Sequence, residues 1–131
     1  MIGLDTNVLV RYLVQDDPVQ SPRATELIER RLDEDNPGFI SVVTMTETVW
    51  VLERAYGFSD LEVAATIERL LQTDVLVVDS EAEVFSAMTV VADGIGSFAD
   101  ALIGMLNRKA GCSVTLTFDR RASRLPHFAL A

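Results

Sequence analysis

The feature that most constrains this chain is a set of very short apolar runs, each ending at an acid or a turn and each followed by a helix-length segment. Met1 to Leu4 stops at Asp5, and Val75 to Val78 is an uninterrupted run of valine and leucine. Runs this short suit strands, and one without polar alternation predicts a strand buried on both faces. Thr6 to Val14 continues as a helix, closed by Gln15-Asp16-Asp17-Pro18. Ser21-Pro22 predicts a second helix with proline at its first position, running to about Asp33. Asn36-Pro37-Gly38 breaks it before a brief strand at Phe39-Ile40. Helical spacing recurs from Val43 to Tyr56, from Ser59 to about Leu71, from Glu81 to Asp93 and from Phe98 to Lys109. Val114 to Phe118 reads as a strand stopping at Asp119, Arg120 to Arg124 as a short helix and Phe128 to Leu130 as a final edge strand. Short strands alternating with long helices predict one α/β domain over residues 1–131, a three-layer α/β/α sandwich around a short, mostly parallel sheet.

In open sheets of this kind the active site lies beyond the carboxyl ends of the strands. Asp5 and Asp119 both stand there. Local capping is the competing explanation for each acid. Asp5 is placed to cap the helix at Thr6, and Asp119 to end a strand in a turn. Thr44 to Glu47 and Ser97 to Asp100 match the Ser/Thr-x-x-acid capping box, as do Ser59 to Glu62 and Ser80 to Glu83. Glu47 differs in having Val43, Trp50 and Val51 on its helix face, which predicts a partly desolvated carboxylate in need of a cation or donors. Carboxylates gathered together repel one another unless a multivalent cation sits among them. Hard oxygen donors without cysteine or a suitable histidine favour Mg2+ or Mn2+, and such an ion suits phosphodiester chemistry.

The formal charge of −9 opposes nucleic-acid binding, which depends on Lys and Arg. Its distribution softens the objection. From Arg108 onward lie Arg108, Lys109, Arg120, Arg121 and Arg124 with Asp119 as the one acid, against nineteen acids and six bases in the rest. The distribution leaves room for a local basic patch on an acidic body, and the acidic body suits a basic protein partner. No apolar run is long enough to span a bilayer, and no basic n-region or cleavage site marks a signal peptide. The excess of apolar residues therefore predicts a subunit interface, and a cytoplasmic location is expected. Cys112 has no partner for a disulfide or zinc site and is expected to pack beside a strand. His127, the only histidine, rules against a paired-histidine ribonuclease mechanism and is expected to be exposed or packed. Trp50, Tyr56 and Phe58 are expected in core or dimer contacts.

Asp5-Thr6-Asn7-Val8-Leu9, Thr46-Glu47, Phe98-Ala99-Asp100-Ala101-Leu102-Ile103 and Thr117-Phe118-Asp119-Arg120, in this order and spacing, resemble PIN domains. The resemblance is closest to the single-domain ribonucleases of the VapC type, toxins of toxin–antitoxin pairs. It covers essentially the whole chain, with no departure at the four acids. It implies an α/β/α sandwich, Mg2+ or Mn2+ dependence, RNA cleavage, a homodimer and a cognate antitoxin. Carried over, it makes Asp5, Glu47, Asp100 and Asp119 the catalytic, metal-binding cluster, with Asp5 and Asp100 the most direct ligands. Thr6, Asn7 and Thr117 would support the acids by hydrogen bonds. Arg11, Arg120, Arg121 and Arg124 are the candidate phosphate contacts.

Two other classes compete. An aspartyl-phosphate phosphohydrolase also ends its first strand in Asp but wants another two residues on, where Asn7 stands. A receiver-like, non-catalytic binding module needs a paired acid at that strand end and a late strand-end lysine, whereas Lys109 closes a helix.

Overall fold

The computed structural model describes residues 1–131. Five strands and six α-helices alternate along it. Strands β1 (Ile2–Gly3), β2 (Gly38–Ile40) and β3 (Leu76–Val78) form one sheet in that order, and β4 (Thr115–Thr117) pairs with β5 (Phe128–Leu130) in a second. Every pairing is parallel, with Ile2 opposite Gly38 and Gly38 opposite Leu76. The helices are α1 (Thr6–Val14), α2 (Gln20–Glu26), α3 (Val42–Tyr56), α4 (Asp60–Leu71), α5 (Glu81–Ala92) and α6 (Phe98–Lys109). The α/β class thus stands as expected, with the parallel strands divided between two ladders.

The core is one cluster that joins the strands to every α-helix, with Leu9, Ile28, Ile40, Met45, Ile67, Val84 and Phe98 almost fully enclosed. Burying each such side chain stabilises the fold by about 1.5–3 kcal/mol relative to exposure. Within this core the hydroxyl of Thr48 has no hydrogen-bond partner.

Several boundaries differ from the sequence reading for identifiable reasons. The second helix opens at Gln20, ahead of Pro22, because the Asp17 carboxylate accepts from the backbone N–H groups of Val19 (2.9 Å) and Gln20 (2.7 Å). These bonds hold the Asp17 carboxyl below its usual range. Past Glu26 the helix widens into a π-turn, Leu27–Arg31, closed by the Leu32 N–H on the Leu27 carbonyl. Val77 is 41% exposed, so the run at β3 is buried on one face and its β-branched composition reflects strand preference. Ser59 and Glu62 form the full reciprocal capping box, but Ser80 makes no cap, and α3 is capped by Ser41 in place of Thr44. Cys112 is exposed, because it lies in the turn after α6 and not in β4.

Gly104, on α6, lets the Phe128 ring of β5 lie against the helix backbone; a Cβ there would collide with the ring edge. Gly104→Ala should cost about 1–3 kcal/mol by overpacking, read as a lower urea midpoint with an unchanged slope. Asp17→Ala should also lower the melting temperature. Because the folded Asp17 carboxyl titrates below its unfolded value, the deficit should be full at neutral pH and shrink as pH falls below about 4. Melting curves between pH 2 and 7 check this; a deficit independent of pH would refute it.

Candidate active site

The parallel pairing brings the strand ends to one edge. The Leu4 N–H donates to the Phe39 carbonyl (2.9 Å), continuing the ladder one residue past β1, and Asp5 comes next. The Asp79 N–H donates to the Ile40 carbonyl (2.9 Å), which places Asp79 just beyond β3 at the same edge, with Ser41 between them opening α3. Asp79 was missed in the sequence, although it ends an apolar run just as Asp5 does.

The four predicted acids fall into two kinds. Asp5 occupies the N-cap position of α1, yet its carboxylate makes no cap hydrogen bond. At α6 the cap is Ser97, whose hydroxyl accepts from the Asp100 N–H (3.1 Å) and leaves the Asp100 carboxylate uncommitted. Glu47 on α3 likewise has no hydrogen-bond or ion-pair partner. The chain's ion pairs are Arg11–Asp16, Arg30–Glu26 and Lys109–Glu83, and they involve none of the four acids. Asp119 differs. One of its carboxylate oxygens accepts from the N–H groups of Arg121 (2.8 Å) and Ala122 (3.2 Å), capping the 3-10 turn Ala122–Arg124.

The expected desolvation of Glu47 is not found. Glu47 is exposed, as are Val43 and Trp50, because α3 turns Met45, Thr48, Val49 and Leu52 into the core. The apolar face around Glu47 instead lines an open groove of about 460 Å³ against Ala99, Leu102 and Ile103 of α6. That groove puts Glu47 across from the turn that carries Asp100. Trp50 is 56% exposed with the Arg54 guanidinium 5.5 Å from its ring centre, whereas Phe58 packs against the core and Tyr56 donates to Asp16 (2.9 Å).

Thr6 is buried at the start of α1. Asn7 donates to Gln20 (3.2 Å), and the Thr117 hydroxyl accepts from the Asp119 N–H (3.0 Å). Arg11 is held by Gln20 (2.9 Å) and Asp16 (3.2 Å), so its charge is already matched. The side chains of Arg120, Arg121 and Arg124 are exposed and make no such pair. A second groove, between α1 and α2, is lined by Arg11, Arg23 and Arg31 over a floor of Val8, Ala24 and Leu27. His127 is exposed and contacts the Arg108 guanidinium.

The donor set suits a hard divalent cation, being carboxylate oxygens of which three sets have no internal partner. No three Asp, Glu, His or Cys side chains are grouped as a ready metal cage, so the four acids do not converge on one point.

Short parallel strands, with acids at their carboxyl ends and partner-free carboxylates there and on the helices, define an α/β protein with an acidic candidate site. The chain belongs to the PIN domain family, whose model matches residues 2–127. PIN domains are generally nucleases and typically use divalent metal ions. No curated protein matches the chain. No helix is long and apolar enough to cross a membrane.

The division among the acids has a measurable consequence. Asp119→Ala should cost about 1 kcal/mol through the lost turn cap, whereas Asp5→Ala and Asp100→Ala, which break no hydrogen bond, should lower the urea midpoint only by the few tenths of a kcal/mol of an exposed charge at a helix N-terminus. Equal losses at all three positions would contradict the assignment.

Proposed function

We propose that this PIN domain is a metal-dependent endoribonuclease, the toxin of a cytoplasmic toxin–antitoxin pair. The observation that carries the reading is the set of carboxylates, on Asp5, Glu47 and Asp100, that the fold leaves without internal hydrogen-bond or ion-pair partners. Those residues would hold Mg2+ or Mn2+, with Asp119 contributing the carboxylate oxygen its turn leaves unused. The bound ion would supply a water of lowered pKa and stabilise the charge that develops on the phosphodiester.

The chain's own contribution is positioning. The N-termini of α1 and α6 direct the positive ends of their dipoles toward Asp5 and Asp100, which favours negative charge at both sites. Ser97 and Thr117 fix the backbone beside Asp100 and Asp119. Exposed Val43, Trp50 and Ile103 around the α3–α6 groove support a homodimer. The acidic body offers matching charge to a basic segment of the antitoxin.

Purified protein should cleave RNA in Mg2+ or Mn2+ and stop in excess EDTA. Asp5→Asn and Asp100→Asn should each lose more activity than the roughly 10–100-fold typical of an outer-shell partner, with melting temperatures preserved. Full cleavage in EDTA, or by the double variant, would overturn the mechanism. Capture of an acyl phosphate in place of RNA cleavage would favour the phosphohydrolase.

A further inference from the structure

Phe118 is the most exposed large apolar side chain of the chain, at 90%. It follows β4 directly and precedes Asp119. Strand alternation puts it on one face with Val114 and Leu116, which are 43% and 63% exposed. Single exposed apolar residues are ordinary, but this one ends a stripe and sits in an unusual electrostatic setting.

Arg120, Arg121 and Arg124 follow within six residues, all exposed and all without an acidic partner. Elsewhere most cations are committed. Arg11, Arg30 and Lys109 form ion pairs, Arg54 and Arg69 lie over aromatic rings, and Arg108 contacts His127. The turn that carries Phe118 is also fixed. Asp119 accepts from two backbone N–H groups, its own N–H donates to Thr117, and Ala122 and Leu125 anchor the far side in the core at 3% and 4% exposure. A rigid aromatic face beside free guanidinium groups is the arrangement that binds single-stranded nucleic acid, with bases stacking on the ring and phosphates meeting the cations. A second copy of this chain is a poorer occupant, because a two-fold contact through the stripe would bring like-charged arginines together.

We infer that Phe118 is a stacking platform for an unpaired RNA base, which seats the strand beside Asp119 while Arg120, Arg121 and Arg124 take flanking phosphates. This rests on the ribonuclease reading and names residues that position its substrate.

The test is binding of a short fluorescent single-stranded RNA, without divalent metal and again with Ca2+. The proteins are the wild type, Phe118→Ala, Phe118→Leu and Phe118→Tyr. Phe118→Ala should bind about tenfold more weakly or worse. Phe118→Leu should share that loss because it keeps apolar area without a π-face, and Phe118→Tyr should restore binding. Arg121→Ala should reduce the dependence of log K on log salt by about 0.7, the share of one phosphate on a single strand. Unchanged affinity in Phe118→Ala, rescue by leucine, or a wild type that binds no single-stranded RNA would each overturn the inference. A shift in oligomeric state on Phe118→Ala, seen by light scattering, would do so too by making the stripe a protein interface. Cleavage of the same RNA is scored separately. Phe118-dependent binding without cleavage in any metal defeats the ribonuclease reading alone, and cleavage with a Phe118→Ala KM equal to wild type defeats the platform alone.

Discussion

β2 is the strand paired on both sides in the three-stranded sheet, and its first residue, Gly38, has no side chain where three leucines converge. A Cβ there would stand 2.8 Å from the Leu32 side chain, 2.9 Å from Leu4 and 3.1 Å from Leu76. Leu4 ends the β1 run, Leu76 opens β3, and Leu32 closes the helical segment that leads into the turn before β2. The empty position is thus what lets both neighbouring strands and that segment pack against β2 together. The carboxyl ends of the three strands then fall on one edge, and Asp5, Ser41 and Asp79 follow as a row.

Capping decides which acids remain available. An acid in the first turn of a helix is close to exposed N–H donors and ordinarily takes one. Serine performs that role for α3 and α6, through Ser41 on the Thr44 N–H and Ser97 on the Asp100 N–H. Asp100 therefore gains the field of the helix terminus without spending its oxygens on it. Asp5 stands at the N-cap of α1 in the usual extended conformation, yet its carboxylate takes none of the helix donors. Asp119 does spend an oxygen on its turn, which makes it a structural element and a candidate ligand at once. The four acids are alike in sequence and unlike in what the fold asks of them.

Much of this is legible in the sequence. The bounds of α1 and α6 follow from Asp5-Thr6 and Ser97-Phe98 at their starts, because helix entry is written in short-range signals. The apolar runs located all five strands and their parallel class. The start of α2 was not legible, since the local Ser21-Pro22 signal competes with the Asp17 cap, and only the folded turn chooses between them. The environment of Glu47 was misjudged because periodicity marks an apolar face without saying whether core or open groove meets it. Phe118 escaped notice for the converse reason. A phenylalanine at the end of an apolar strand reads as core, and its 90% exposure depends on which face the β4–β5 ladder leaves uncovered.

The net charge of −9 is the strongest physical objection to a nucleic-acid partner, and the pairing pattern answers it more directly than the count does. A cation matched to a carboxylate contributes little field at a distance, whereas an unmatched one acts at full strength within a Debye length of about 8–10 Å. The unmatched cations here are Arg23 and Arg31 in one groove and Arg120, Arg121 and Arg124 in one turn. Acids that are free of cations dominate the field elsewhere and repel a polyanion. On the ribonuclease reading proposed above, a strand of RNA would be turned away over most of this surface and drawn only to the places where arginines stand unmatched, the turn beside Asp119 among them. Net charge sets how hard the polyanion is to bring near; the placement of unpaired arginines sets where it lands.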